Sequence, residues 1–116
     1  MWHTGCADIV TEQRKLVVFV PVEALEAVRH ALFGAGAGRI GKYERCSWYT
    51  PGTGTFLAGD GASPVIGELG REVRAPELRL ETVYPVECEG EVLAALRAAH
   101  PYEEPAFDLY PLAPAP

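Results

Sequence analysis

The densest group of chemistry-bearing residues is His100-Pro-Tyr-Glu-Glu-Pro105, with Asp108 just beyond it. An imidazole and two carboxylates within five residues form a donor set suited to a divalent cation. His100, Glu103 and Glu104 are therefore the candidate metal ligands, and a divalent metal ion is the one cofactor the residues suggest. The same stretch has a structural reading. A histidine at the C-terminus of a helix is favoured electrostatically as the imidazolium. The two prolines give a rigid, extended entry into a following strand.

Nucleophilic chemistry has less to stand on. Ser47 and Ser63 lie in no G-x-S-x-G elbow, and the chain has three histidines to serve as base. Cys46 would become reactive beside His100 if the fold joined them, but a small apolar cysteine packed in a strand is the favoured reading. With no assembled catalytic set, the expectation is a protein that is not an enzyme. Gly36-Ala-Gly-Arg-Ile-Gly41 matches G-x-G-x-x-G. A dinucleotide site needs those glycines between a strand and a helix N-terminus. Here they follow a helical stretch and lead into a strand, so they read as a helix stop and connector.

The 116 residues suit one domain. Hydrophobic residues make up 48% and charged residues 22%, a globular composition. Sixteen acidic against ten basic residues leave a net charge of −6, which argues against nucleic acid and against an anionic membrane surface as partners. The longest apolar run, Leu16 to Val20, is far short of the roughly 20 residues a spanning helix needs. The first fifteen residues hold no secretory h-region. Three cysteines without a C-x-x-C pair argue against a disulfide framework or structural zinc, and the expected compartment is the cytoplasm.

The elements that must position these residues come in two similar halves. Residues 1–14 read as a loose tail, 15–112 as the domain, and 113–116 as a second tail. Lys15 to Val20 is a β-branched and aromatic run closed by Pro21, the profile of a buried strand. A helix over 22–34 follows, with Leu25, Val28 and Leu32 on one stripe. Val18-Phe-Val-Pro-Val-Glu23 is echoed by Thr82-Val-Tyr-Pro-Val-Glu87, and a second helix over 89–99 follows that echo. Further strands are expected at 42–49, 54–58, 77–84 and 106–110, with a hairpin turn at Pro51-Gly-Thr-Gly54 and a Gly/Pro-rich loop from Gly59 to Gly70. Strand-helix-strand twice is the ferredoxin-like arrangement, an α+β fold with one antiparallel sheet and both helices on one face. The expected core includes Leu25, Val28, Leu96 and Val83. The uncovered face should carry Glu77, Arg79 and Glu81, together with Tyr43, Arg45 and either Ser47 or Tyr49.

Four blocks then carry a resemblance over about Lys15 to Leu112. They are Gly38-Arg-Ile-Gly-Lys-Tyr-Glu-Arg-Cys-Ser-Trp48, Gly52-Thr-Gly-Thr-Phe56, Gly61-Ala-Ser-Pro-Val-Ile-Gly67 and His100-Pro-Tyr-Glu-Glu-Pro-Ala-Phe-Asp108. The chain resembles a stand-alone version of the insert domain of the YqfO-type, dinuclear-metal-centre hexameric proteins, the family named after the yeast Ngg-interacting factor. His100-Pro-Tyr-Glu103 is also similar to the CutA family at the equivalent helix-to-strand junction. The resemblance implies a PII-like or CutA-like fold and trimeric association. In the full-length proteins the two metals belong to the flanking domain, so their chemistry and the cyclohydrolase label do not transfer. The expectation is a non-catalytic binding or regulatory module with an unassigned small ligand or protein partner. The candidate ligand-binding residues are Gly41, Tyr43, Cys46, Ser47 and Tyr102. The alternative is a CutA-like divalent metal binder using His100, Glu103 and Glu104.

Overall fold

The structure is a computed structural model and describes residues 12–114. Four strands form one antiparallel sheet: β1 (Gln13–Pro21), β2 (Ser47–Leu57), β3 (Glu72–Pro85) and β4 (Phe107–Pro111), in the order β2-β3-β1-β4. Helix α1 (Leu25–Gly34) follows β1, and α2 (Glu89–Ala99) follows β3. The repeated Pro-Val-Glu junction produces the same turn twice. Pro21 and Pro85 are both extended, and each leads through a short 3₁₀ turn, Val22–Ala24 or Val86–Cys88, into its helix. Proline fixes φ near the value the helix entrance needs, which is why the motif works in both halves.

Strand periodicity of two sorts the sheet into two faces. Leu16, Val18 and Val20 of β1 stand beside Thr82, Leu80 and Leu78 of β3, and all six are buried. Together with Tyr84 they pack against Leu25, Val28 and Leu32 of α1 and Val92 and Leu96 of α2, one core under one helical layer. The α+β ferredoxin-like arrangement read from the sequence is the fold observed. No helix among the described residues is long and apolar enough to cross a membrane.

Several boundaries differ from expectation. The two strands expected at 42–49 and 54–58 are one strand, β2, which runs straight through the expected turn at Pro51. β2 is an edge strand, where a residue without an N–H loses no ladder bond if that side faces outward. Pro76 is tolerated in β3 for a related reason. The β1–β3 ladder ends at Pro21↔Glu77, so Pro76 has a strand neighbour on one side only. β1 takes in Gln13 and Arg14 from the stretch read as tail; residues 1–11 lie outside the described residues. Val83 is half-buried on the opposite face from the core, because Thr82 and Tyr84 take the inward positions.

The glycine-rich match is a connector, as its position implied. Gly36, Gly38 and Gly41 all have positive φ. At Gly38 (φ +93°) a Cβ would also stand 2.8 Å from the Phe33 ring, so this position needs glycine for both conformation and space. Cys88 is fully buried and disulfide-bonded. The sequence argued against a disulfide framework, and an odd cysteine count leaves one thiol over without forbidding a single pair. Cys46 is the free cysteine among the described residues.

Candidate functional site

The face of the sheet away from the helices is where polar chemistry gathers. At its centre Glu81 accepts hydrogen bonds from Lys15 Nζ (3.2 Å) and Arg79 Nε (2.9 Å). Both hold its carboxyl below the usual carboxylate range, the Arg79 hydrogen bond most strongly. Arg79 also lies over the Phe19 ring, 5.8 Å from its centroid. From β2 the residue on this face is Trp48, opposite Glu81, and not Ser47 or Tyr49. The expected register was one residue out for that strand, and a one-residue slip exchanges the faces of every side chain. Ser47 and Tyr49 turn instead toward α1: the Ser47 hydroxyl accepts from Arg29 Nε at 3.4 Å, and Arg29 lies 6.0 Å from the Tyr49 ring centroid. Tyr43 and Arg45 are outside β2 altogether, in the connector that precedes it.

Beyond the far end of β2 lies a cleft of about 410 Å³, walled by the 58–71 loop and the 100–106 turn. Phe19, Phe56 and Tyr102 supply aromatic surface, and Glu77, Glu103 and Glu104 supply carboxylates. Glu77 is only 9% exposed. Its carboxylate lines the same cleft as the Tyr102 phenol and acts on it electrostatically. Burial pushes that phenol above its usual 10.0, and the negative charge of Glu77 pushes it further. The Tyr102 ring is steadied by its neighbours, 6.2 Å from Phe56 and 5.1 Å from His100, centroid to centroid.

His100 organises the turn that carries Tyr102. It is 5% exposed, and both ring nitrogens are engaged. Nε2 donates to the Phe19 carbonyl at 2.8 Å, and Nδ1 accepts from the Tyr102 backbone N–H at 3.1 Å. A carbonyl only accepts and an amide N–H only donates, so these partners fix the neutral Nε2–H tautomer. That leaves no ring lone pair free for a cation. Glu103 Oε1 accepts from the Ser63 N–H (3.0 Å), tying the loop to the turn, and Glu104 is exposed. Among the described residues no three His, Cys, Asp or Glu side chains are placed to hold a metal ion. As they stand, His100, Glu103 and Glu104 do not fit a resident divalent cation.

The five candidate ligand-binding residues divide between two places. Ile40 and Tyr43 exchange backbone hydrogen bonds of 3.0 and 2.9 Å around a tight turn that contains Gly41. Tyr43 is 75% exposed. Cys46 is held by its backbone, its N–H on the Gly38 carbonyl (2.8 Å) and its carbonyl on the Thr82 hydroxyl (2.7 Å). Cys46 and Ser47 border a crevice of about 210 Å³ beside Trp48. Tyr102 is at the other end of β2, beside Phe56, nine residues of strand and roughly 30 Å from Ser47. Cys46 and His100 keep separate partners. Glu77, the buried carboxylate of the cleft, appeared in the sequence only as one outward charge in an alternating strand. Its distinguishing feature is the glycine pair Gly52 and Gly54 across the ladder, which only the register reveals.

Comparison with solved structures places this fold in the CutA-like and PII-like class. CutA of Archaeoglobus fulgidus, a periplasmic divalent cation tolerance protein, superposes with a TM-score of 0.65 at 18% identity, covering 89% of this chain and 86% of that one. Bacillus subtilis GlnK does so with a TM-score of 0.58 at 12% identity, covering 89% and 87%. At these identities the likeness is one of fold.

Nearer relatives are matched by sequence as well. The Mycobacterium tuberculosis protein named GTP cyclohydrolase 1 type 2 homolog is 57% identical over 97% of this chain and 28% of its own length. Its Bacillus subtilis namesake is 48% identical over 89% and 28%. A Bacillus cereus protein described as related to NIF3 superposes with a TM-score of 0.77 at 44% identity, covering 91% of this chain and 27% of that one. This chain is thus similar, over nearly its whole length, to one region of the proteins named GTP cyclohydrolase 1 type 2 homolog and of the protein related to NIF3. It spans little more than a quarter of the length of the curated relatives it matches. No family model matches the chain.

Proposed function

We propose that the chain is a non-catalytic binding and regulatory module whose ligand enters the cleft between β2, the 58–71 loop and the 100–106 turn. The observation that carries this is Glu77, a carboxylate held out of water at the floor of a largely apolar cleft of about 410 Å³. Such a volume is that of a small-molecule site, and apolar walls with a few fixed polar groups are what orient a ligand. Tyr102, singled out from the sequence, lines this site. Three carboxylates and a phenol bring no nucleophile–base pair, so the chemistry supported is recognition.

Assembly is part of the same reading. The open sheet face bears Trp48, 57% exposed, and Tyr110, 44% exposed, around the Lys15–Glu81–Arg79 network. Aromatic residues around satisfied charges suit a semi-polar subunit contact. Closing that face by three copies around an axis gives a homotrimer, with the Gly59 to Gly70 loop and the cleft near the subunit boundary.

Two measurements test the reading. A fragment screen on the full chain by nuclear magnetic resonance should shift Phe56, Ala58, Tyr102 and Ala106. Binders that perturb only the Cys46–Trp48 crevice, or no binders at all, would overturn the cleft assignment. Light scattering should give three times the 12.6 kDa chain mass. A stable single-chain mass would overturn the trimer, and a doubled mass would replace it with a dimer through paired edge strands.

A further inference from the structure

The walls of the cleft select a charge. Three of its lining residues carry carboxylates, three are aromatic, and none of the fifteen is lysine or arginine. Carboxylates accept and do not donate, so a ligand group facing Glu77 must bring the hydrogen. Glu77 is 9% exposed and lines the cleft, and a carboxylate offers about four acceptor positions to such a donor. Aromatic faces carry negative quadrupole and attract cations, more strongly where water is excluded. A bare metal ion needs several oxygens converging at short range, an arrangement absent among the described residues. Arg79, which lies over Phe19, is committed to Glu81 and borders the adjacent smaller cleft.

Resting on the reading of this cleft as a ligand site, we infer that its ligand is an organic cation: an ammonium with N–H donors on an apolar body. The ammonium sits against Glu77 with Glu103 and Glu104 at the rim, and the body lies along Phe56 and Tyr102. A primary ammonium brings three donors to carboxylates that have acceptor sites to spare. The apolar body accounts for a cleft several times larger than the headgroup alone would fill.

Three probes of one shape decide the charge: phenethylammonium, 2-phenylethanol and phenylacetate, each titrated into the full chain while the amides of Phe56, Glu77 and Tyr102 are followed. Phenethylammonium should bind at least tenfold more tightly than the alcohol, and phenylacetate should bind least. Glu77→Gln should weaken the ammonium tenfold or more and leave the alcohol unchanged within about threefold. Because Glu77 is buried, the exposed Glu104→Gln serves as a second variant, expected to weaken only the ammonium, by two- to fivefold. If the alcohol or the acid binds the cleft as well as the ammonium does, the cation assignment falls while the binding module stands. If none of the three moves these amides, both fall.

Discussion

The carboxylate of Glu77 lies where a side chain on Gly54 would stand. The ladder pairs Glu77 with Gly52 and Ala75 with Gly54, so Glu77 reaches diagonally across β2 and occupies space that glycine leaves open. Diagonal neighbours on one sheet face are within reach of a long side chain. Gly54→Ala should therefore push the Glu77 carboxylate aside and change its influence on the Tyr102 phenol. The displaced atoms are the end of a flexible side chain, so stability should fall by about 1 kcal/mol, the low end for overpacking. The Tyr102 phenol should titrate closer to 10.0 in the variant, with the part due to burial retained. A pH titration of tyrosine absorbance checks this, and an unchanged titration would show that Glu77 does not act on Tyr102.

A second relationship ties three elements together at the opposite end of the sheet. Glu89, the first residue of α2, accepts from the Tyr84 hydroxyl at 2.7 Å and from Arg14 Nη1 at 2.6 Å. Burial, then the bond to Glu89, pushes the Tyr84 phenol well above its usual 10.0. The folded state thus keeps a proton that the unfolded chain releases above that value. Stability is complete below about pH 10 and is lost as pH rises beyond it. Glu89 is held below its usual 4.5, first by Tyr84 and then by Arg14. Its contribution is present above 4.5 and is lost as pH falls through the lowered value. Tyr84→Phe should flatten the alkaline limb and Glu89→Gln the acid limb of urea midpoints measured across pH. Parallel curves for wild type and both variants would refute the assignment.

Leu96 of α2 is completely buried among side chains of both helices and the sheet. Leu96→Ala should cost on the order of 2–5 kcal/mol, the lost transfer energy plus the cavity left behind. Chemical denaturation measures it. A loss below about half a kcal/mol would mean that the helix presents a different face.

His100 joins β1 to the turn that carries Tyr102. His100→Ala would leave the Phe19 carbonyl and the Tyr102 N–H without their partner, at a cost of about 1–3 kcal/mol. Copper and zinc isotherms should be the same for wild type and variant at two pH values, since neither ring nitrogen has a lone pair to give. A tenfold loss of metal affinity in the variant would restore His100 as a ligand.

Much of the fold is written in local pattern. The Pro-Val-Glu junctions, the Leu25–Val28–Leu32 stripe and the Leu78–Leu80 alternation each follow from sterics and periodicity within a few residues. These identify the ferredoxin-like plan without any contact being known. Where local signals compete, the sheet decided. Pro51 and its glycines look like a turn, yet an edge position made them strand, and that single difference moved Trp48 to the open face and Ser47 to α1. The cluster at 100–104 shows the same division. The sequence places an imidazole beside carboxylates, but whether its lone pairs are free depends on Phe19, 81 positions away. Glu77 is the clearest case: its carboxylate takes the space left by Gly54 across the ladder and shares a cleft with Tyr102 from beyond the second helix. Residue types and spacing determine which elements form, because those choices are local. Which polar groups leave water together is decided by register and loop placement, which only the assembled sheet fixes.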